Sequence, residues 1–242
     1  IIVYEDNKPL IASDVWLDEY PVYFGSWRLS HKIPERQRLA LEKTPYIFIS
    51  HFHPDHLNLP SLNKYKKSAR IILGQHYGQR VEKDLRKLGF NVIALPSRKW
   101  IDIGSKTRIM IFTNENQDSA ICVEITDNLG HKSLIINLND SGAYGFINEI
   151  SLISSNYKNS FYLALHGYGD ADMINFFNKR GERILPNAAK KNPVGKDIFE
   201  SMSKLNANIA IPFSSFNQYQ RRDSFWANKY TTPISDYALG FP

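Results

Sequence analysis

The sequence predicts an α/β domain whose mixed sheets are covered by helices. Three features of the chain predict it. Short apolar runs rich in Ile, Val and Phe recur along the whole length, segments of helical length lie between them, and several strand-like runs follow closely enough to form hairpins. The 242 residues suffice for one large domain or two small ones. No shift in composition marks a boundary, so a single domain is expected.

Ile1-Ile2-Val3-Tyr4 and Pro9-Leu10-Ile11-Ala12-Ser13-Asp14 read as a hairpin that turns at Asp6-Asn7. Residues 16–34 are aromatic-rich and irregular, and residues 34–43 can form a short helix. Tyr46-Ile47-Phe48-Ile49-Ser50 has the length and β-rich composition of a buried strand. Pro60-Ser61-Leu62 opens a helix with proline in its first turn. A strand is predicted over 70–74, a helix over 78–88 that stops at Gly89, and a strand over 90–95. Strands over 106–113, 119–126 and 133–138 follow in succession. Residues 145–154 are predicted helical, 161–165 a strand, 198–205 a helix and 207–212 a last strand.

Hydrophobic residues make up 43% of the chain, which argues against disorder. No apolar run approaches the ~20 residues that cross a bilayer, so no membrane partner is expected. No signal peptide is visible, and the chain opens at Ile1 in what reads as mid-strand, as a piece of a longer or processed protein would. The single cysteine, Cys122, excludes an intrachain disulfide and any Cys-based zinc finger or iron–sulfur cluster within this segment. It favours a reducing, cytoplasmic location, and its place in Ala120-Ile121-Cys122-Val123 reads as core. The net charge of +6 is scattered, apart from small groups such as Lys64-Tyr65-Lys66-Lys67 and Arg221-Arg222. There is no basic arm and no helix-turn-helix or RNA-binding signature, so nucleic acid is not an expected partner. A small anionic substrate would suit the charge.

His51-Phe52-His53-Pro54-Asp55-His56 carries the strongest chemical signal. Three imidazoles and a carboxylate fall within six residues, directly after a buried strand, in a chain with only seven histidines. Neutral imidazole is the commonest metal ligand, and carboxylate oxygen complements it. A turn of the backbone would let His51 and His53 face one ion while Asp55 and His56 face a second.

This HxHxDH pattern resembles that of the metallo-β-lactamase superfamily. The resemblance implies an αββα sandwich with one or two metal ions at one edge, held by loops that follow the strands, and activation of water or oxygen there. It also implies ligands at later strand ends. Asp140, in Leu138-Asn139-Asp140-Ser141-Gly142, stands where members carry an aspartate that bridges two metals. Hydrolases of the superfamily usually place a histidine near Thr113-Asn114-Glu115-Asn116. None occurs here; Glu115 can supply a carboxylate instead, with Asn114 the alternative by register. The final strand, Ile209-Ala210-Ile211-Pro212-Phe213-Ser214-Ser215-Phe216, also lacks the usual histidine. His166, between Tyr162-Leu163-Ala164-Leu165 and Gly167-Tyr168-Gly169-Asp170, is a candidate ligand, proton donor, substrate contact or structural residue. His131 reads as part of a hairpin turn, and His31 and His76 have no functional context.

A narrower resemblance is to the cytidine monophosphate-N-acetylneuraminic acid hydroxylases. It is carried by Asp14-Val15-Trp16-Leu17, Gly25-Ser26-Trp27-Arg28-Leu29-Ser30-His31, Tyr46-Ile47-Phe48-Ile49-Ser50-His51, His56-Leu57-Asn58-Leu59-Pro60-Ser61-Leu62, Gly130-His131-Lys132-Ser133-Leu134-Ile135-Ile136-Asn137 and Ile211-Pro212-Phe213-Ser214-Ser215-Phe216. Those hydroxylases pair a Rieske iron–sulfur domain with a β-lactamase-like domain. This chain holds no Rieske Cys/His pairs, so its electrons would come from another segment or a separate donor protein. A glutamate in the 113–116 loop also resembles the diiron β-hydroxylases of antibiotic biosynthesis.

These resemblances imply a dinuclear iron oxygenase acting on a small, anionic or sugar-nucleotide-like substrate. His51, His53 and Glu115 would hold one ion, a set of two imidazoles and a carboxylate that non-haem iron oxygenases use. Asp55, His56 and the shared Asp140 would hold the other. The alternative is a dinuclear zinc or manganese hydrolase of phosphodiesterase or lactonase type, in which Asp55 handles the proton. A non-catalytic metal-binding relative is the third reading. Trp16, Trp27, Phe213, Phe216 and Tyr219 are candidate pocket walls, and Arg221 and Arg222 candidate contacts for an anion.

Overall fold

The computed structural model describes residues 1–65, 69–167, 177–185, 193–213 and 216–242. Lys66 and Lys67, Tyr168-Gly169-Asp170 after His166, and Ser214-Ser215 lie outside the described residues.

Strand β1 (Ile2–Glu5) pairs antiparallel with β2 (Lys8–Ser13). Asp6 and Asn7 between them have φ of 47° and 61°, a left-handed turn that short polar side chains tolerate and that matches strand twist. Then come β3 (Trp27–Leu29), α1 (Glu35–Lys43), β4 (Tyr46–Phe48), α2 (Leu59–Tyr65), β5 (Arg70–Gly74), α3 (Arg80–Lys87) and β6 (Asn91–Leu95). Strands β1, β2, β4, β5 and β6 form one sheet in that order, parallel from β2 onward. The second half supplies β7 (Ile101–Asp102), β8 (Thr107–Thr113), β9 (Ser119–Thr126), β10 (Lys132–Asn139), α4 (Ile147–Ser154), β11 (Asn159–Ala164), α5 (Val194–Lys204), β12 (Ile209–Ala210) and β13 (Asn217–Tyr219). Its sheet runs β12-β11-β10-β9-β8-β7. Two 3₁₀ turns, Phe225–Tyr230 and Ile234–Ala238, end the chain.

Side-chain alternation builds the layers. Phe48 and Ile72 point inward and meet Ile109, Ile111, Ile121 and Val123 of the second sheet. Their neighbours Ile47, Ile49, Ile71 and Leu73 point outward, where Leu41 of α1, Leu62 of α2 and Leu85 of α3 cover them. On the far side Phe112, Leu134, Ile136 and Tyr162 pack under Ile150 of α4 and Ile198 and Met202 of α5. The result is the expected αββα sandwich, with period-2 strands buried on both faces. Cys122 is wholly buried in the second of these outer layers, and burial pushes its thiol up to about 12. No helix among the described residues is long and apolar enough to cross a membrane.

Several boundaries differ from the sequence reading. Within residues 46–50 the strand ends at Phe48, and Ile49 and Ser50 peel away toward the histidines. Helix α5 starts at Val194, not 198. Gly195 looks like a helix breaker, but a Cβ there would lie 2.7 Å from the Leu239 carbonyl oxygen and 2.8 Å from that of Tyr237, so the close approach of the chain's end requires glycine. The last strand of this sheet covers only Ile209–Ala210 rather than 207–212. The irregular 16–34 segment contains β3, which pairs with β13 near the opposite end of the chain.

Candidate metal centre

The centre forms where β2, β4 and β10 end at one edge of the sandwich. After Phe48 the chain keeps one ladder bond, Ile49 N to Ile72 O at 3.0 Å, and then leaves the sheet. Ser50 O accepts the Ser119 amide at 2.9 Å, which ties this exit to the second sheet. His56 N and Leu57 N both donate to His53 O, at 2.9 and 2.7 Å, so the motif closes into a tight turn. Asn58 then caps α2: its Oδ1 accepts the Ser61 amide at 3.0 Å. The turn folds His56 back onto His51, with ring centroids 4.1 Å apart.

Asp140 arrives from β10. Asn139 precedes it with φ of 50°, a left-handed geometry for which asparagine is suited. Its amide N–H donates to Asn137 Oδ1 at 3.1 Å. The Asp140 carboxylate Oδ2 then stands 3.5 Å from His56 Nε2 and 3.8 Å from His51 Nε2. Ligand atoms of His51, His56 and Asp140 all lie within 4.8 Å of one another. His53 Nδ1 is 2.9 Å from His51 Nε2, and Asp55 Oδ2 is 3.5 Å from His56 Nε2. All five metal-ligating candidates other than Glu115 therefore contact the same cluster.

A second layer holds these side chains. Asp14, at the end of β2, accepts the Ser50 amide on Oδ1 at 2.8 Å and the Ser50 hydroxyl at 3.1 Å. Its Oδ2 faces His56 Nδ1 at 3.6 Å and accepts a short hydrogen bond from Asn139 Nδ2. Ser50 Oγ is 2.9 Å from His51 Nδ1. Each ring thus has one nitrogen held from behind and presents Nε2 to Asp140, the arrangement that orients metal-bound imidazoles. The Tyr23 hydroxyl donates to Asp55 Oδ1 at 2.6 Å.

The charges fit a cation. Burial disfavours the His56 imidazolium, yet hydrogen bonds to Asp14 and Asp140 outweigh it and hold its pKa well above the usual value. Burial alone would raise the Asp14 and Asp140 carboxyls; hydrogen bonding to His56 prevails and keeps both lowered. Burial, and then the neighbouring His56 charge, lower His51. A proton on His56 stands among carboxylates where a metal ion would bring positive charge, and the mixed imidazole–carboxylate donors suit Zn, Mn or Fe. Replacing Asp14 with Asn is expected to weaken zinc binding about 10- to 100-fold, the usual cost of losing an orienting partner. Calorimetric titration checks this; an unchanged Kd would reduce Asp14 to a structural tie between strands.

Other candidates fall at varied distances. Glu115 is exposed on the 114–118 turn. In that turn Asn114 Oδ1 accepts the amides of Asn116 and Asp118 at 3.0 Å each. Asn114 Nδ2 reaches the Ser141 carbonyl at 3.4 Å, so Asn114 rather than Glu115 lies against the Asp140 loop. His166 bonds the Tyr162 hydroxyl at 2.7 Å, on the face covered by α5, and burial lowers its pKa. Trp27 packs edge-on against Tyr23 at 4.6 Å and Tyr219 at 5.8 Å, which places it behind the tyrosine that holds Asp55. Phe213 bridges to Leu165, and Phe216 stacks on Tyr237. The Trp16 indole donates to the Tyr20 carbonyl. Arg221 is paired with Asp223, and Arg222 is exposed. His131 bonds Asp127 in the expected hairpin turn.

Sequence reasoning missed the supporting roles of Ser50, Asn139 and Tyr23, and saw Asp14 only as part of a resemblance. A hydroxyl directly before the first histidine and an Asn before Asp140 were visible signals. Tyr23, 32 residues from Asp55 in an irregular segment, offered none.

No protein-family model matches the chain. It is 30% identical over 128 residues to the cytidine monophosphate-N-acetylneuraminic acid hydroxylase of Asterias rubens, a match covering 50% of this chain and 19% of that protein. Over 91 residues it is 33% identical to a protein of Mycolicibacterium smegmatis named as a Rieske 2Fe-2S iron-sulfur protein, covering 36% of this chain and 17% of the relative. The chain therefore spans less than a third of the length of these curated relatives. Its fold matches that of a possible metal-dependent hydrolase from Veillonella parvula, with a TM-score of 0.54, 16% identity, and coverage of 87% of this chain and 80% of that one. The sandwich has the metallo-β-lactamase type of fold, and among the described residues His51, His56 and Asp140 form a cluster that could hold a metal ion. The likeness to the cytidine monophosphate-N-acetylneuraminic acid hydroxylases extends over about half of the chain.

Proposed function

We propose that the protein is a metal-dependent hydrolase of small, anionic esters, of phosphodiesterase or lactonase type. The convergence of His51, His56 and Asp140 ligand atoms within 4.8 Å carries this reading. His53 and Asp55 extend the set toward a second ion, zinc or manganese. Hydrolysis needs only a cation, a water and a base, and this chain supplies the donors and a base itself. The Veillonella parvula protein that shares the fold is described as a possible metal-dependent hydrolase. A bound dication lowers the pKa of a coordinated water to about 7 and polarises the scissile bond.

The chain's own groups do the rest. Asp55 receives the proton on Oδ2 while Tyr23 holds Oδ1. Ser50 and Asp14 keep the rings from turning. Trp27 backs Tyr23 and so fixes the angle of the Asp55 carboxylate. His166 and Phe213, on neighbouring strand ends, and Arg221 are the remaining candidates for contact with substrate.

A second reading is favoured by the similarity to the Asterias rubens hydroxylase and the Rieske-named protein. In it two irons replace zinc, Glu115 joins the donors, the substrate is sugar-nucleotide-like, and a separate Rieske-type protein or domain delivers electrons. A cytoplasmic location suits either reading of a chain with one buried thiol.

Anaerobic purification with elemental analysis, iron spectroscopy and turnover assays separates the two. Zinc or manganese with oxygen-independent cleavage of esters or phosphodiesters is the expected result. About two irons per chain with oxygen-dependent turnover would replace it with the hydroxylase. In an iron-loaded protein Glu115→Gln lowers occupancy if Glu115 is a donor; unchanged occupancy removes it from the set.

A further inference from the structure

Three loops carry residues of the centre at this edge of the sandwich, and each also presents an aromatic side chain to solvent. Phe24 follows Tyr23, which holds Asp55; Phe52 stands between His51 and His53; Tyr144 comes four residues after Asp140. Phe24 is 100% exposed, Tyr144 81% and Phe52 54%. Exposed apolar residues scattered singly are ordinary on a protein surface. These three are not scattered, since their loops frame one donor cluster.

Neither packing nor backbone preference accounts for Phe24. Val22 and Trp27 exchange backbone hydrogen bonds of 3.0 and 3.2 Å, and Ser26 N donates to Tyr23 O at 3.1 Å, so residues 23–26 form the tip of a hairpin. Tyr23, Phe24 and Gly25 have φ of 51°, 57° and 79°. Glycine, asparagine and aspartate suit this left-handed geometry, and a bulky aromatic residue is strained in it. Phe24 thus costs stability and buries nothing within the chain, the pattern of a residue that acts through contact with a ligand. The tip is tied to the histidine turn, because the Tyr23 hydroxyl donates to Asp55 Oδ1 at 2.6 Å while its ring packs on Trp27. Phe52 meets His53 edge-on at 5.4 Å. Tyr144 folds back over Gly142, where a Cβ would lie 3.2 Å from two of its ring carbons, so the ring rests on the loop that Asp140 opens.

We propose that Phe24, Phe52 and Tyr144 form an aromatic rim that selects anionic esters carrying a flat apolar substituent, an aryl group above all. The substrate class rests on the reading of the centre as a hydrolase. A ligand whose charged end meets an ion at His51, His56 and Asp140 has its far end among these loops. Aromatic rings attract flat apolar groups there by offset or edge-to-face contact, beyond the gain from buried area.

Phenylphosphonate and methylphosphonate carry the same charged head and differ in the group that the rim would meet. In calorimetric titration of the zinc-loaded protein, phenylphosphonate is expected to bind about 3- to 10-fold more tightly. Phe24→Asn and Tyr144→Ser are each expected to remove most of that preference. Leu129→Ser, at an exposed residue in the turn before β10, is expected to keep it. Asparagine suits the hairpin tip, so Phe24→Asn should also raise the Tm of the metal-free protein by about 2–4 °C. A fall in Tm would mean that Phe24 supports the fold, and would overturn its place in the rim. Equal Kd values for the two phosphonates, binding of neither, or an undiminished preference in both variants overturns the proposal. Turnover separates this from the hydrolase reading. Bis(4-nitrophenyl) phosphate and methyl 4-nitrophenyl phosphate share a leaving group, and kcat/KM is expected to favour the first through KM. If the phosphonate preference is present and neither ester is cleaved with zinc or manganese, the hydrolase reading falls and the rim stands as a site for aryl anions. If both esters are cleaved with equal kcat/KM and the phosphonates bind equally, the rim falls and the hydrolase reading stands.

Discussion

His56→Ala is expected to abolish tight binding of a divalent ion and, with it, turnover. A structural zinc site is worth about 10–16 kcal/mol over four ligands. One ligand then carries roughly 3 kcal/mol, or a Kd raised about 100-fold. His56 also contacts Asp14, Asp55 and Asp140 at 3.5–3.6 Å, so its removal leaves three carboxylates without their shared imidazole. Metal content after dialysis and kcat/KM with added zinc measure the loss; His31→Ala, at an exposed histidine outside the cluster, is the control. A His56→Ala protein that retains metal and turnover would remove His56 from the centre. The metal-free protein adds a pH signature. Folding raises the His56 pKa above 6.5, so the stability it contributes is fully present below about pH 6.5 and is lost as pH rises through the folded value. Zinc must displace that proton, so binding tightens with rising pH.

Phe48→Ala is expected to cost about 3–5 kcal/mol, a large share of the stability of a domain this size. Phe48 is 0% exposed and lies in the inner layer where the two sheets meet, and nothing small can fill the space its ring would leave. Denaturant unfolding of the metal-free protein gives the value. Leu39→Ala, at a residue 47% exposed on α1, should fall within about 0.5 kcal/mol of wild type. A loss under about 1 kcal/mol for Phe48→Ala would mean that the sheets do not close over this side chain. Because Phe48 lies two residues before Ser50, the same substitution should also loosen the first histidine and weaken zinc binding.

How much of this could be read from the chain follows from how far apart the cooperating residues lie. The histidine turn was legible because its donors are contiguous and follow a buried strand. The first hairpin was legible because Asp6-Asn7 suits only a tight turn. The successive strands β8, β9 and β10 were legible because antiparallel neighbours are joined by short loops. Asp140 was found through family likeness, since nothing local separates it from any other loop aspartate. Asp14 meets Ser50 across 36 residues, and Arg28 of β3 meets Gln218 of β13 across 190. No periodicity announces such pairings. The start of α5 was misplaced because the backbone approach that requires Gly195 comes from the end of the chain.

Asp14 gathers the ends of β2, β4 and β10 into one knot of hydrogen bonds. The donors are thus held by the same hydrogen bonds that join the strands, so removal of an ion from this cluster is expected to leave the backbone folded, which circular dichroism before and after chelation checks. Loading should proceed as a simple encounter, and a chelator should strip the ion and leave a folded protein ready to be refilled. Such a centre can exchange one ion for another, so the supply of ions around it takes part in deciding which one it carries.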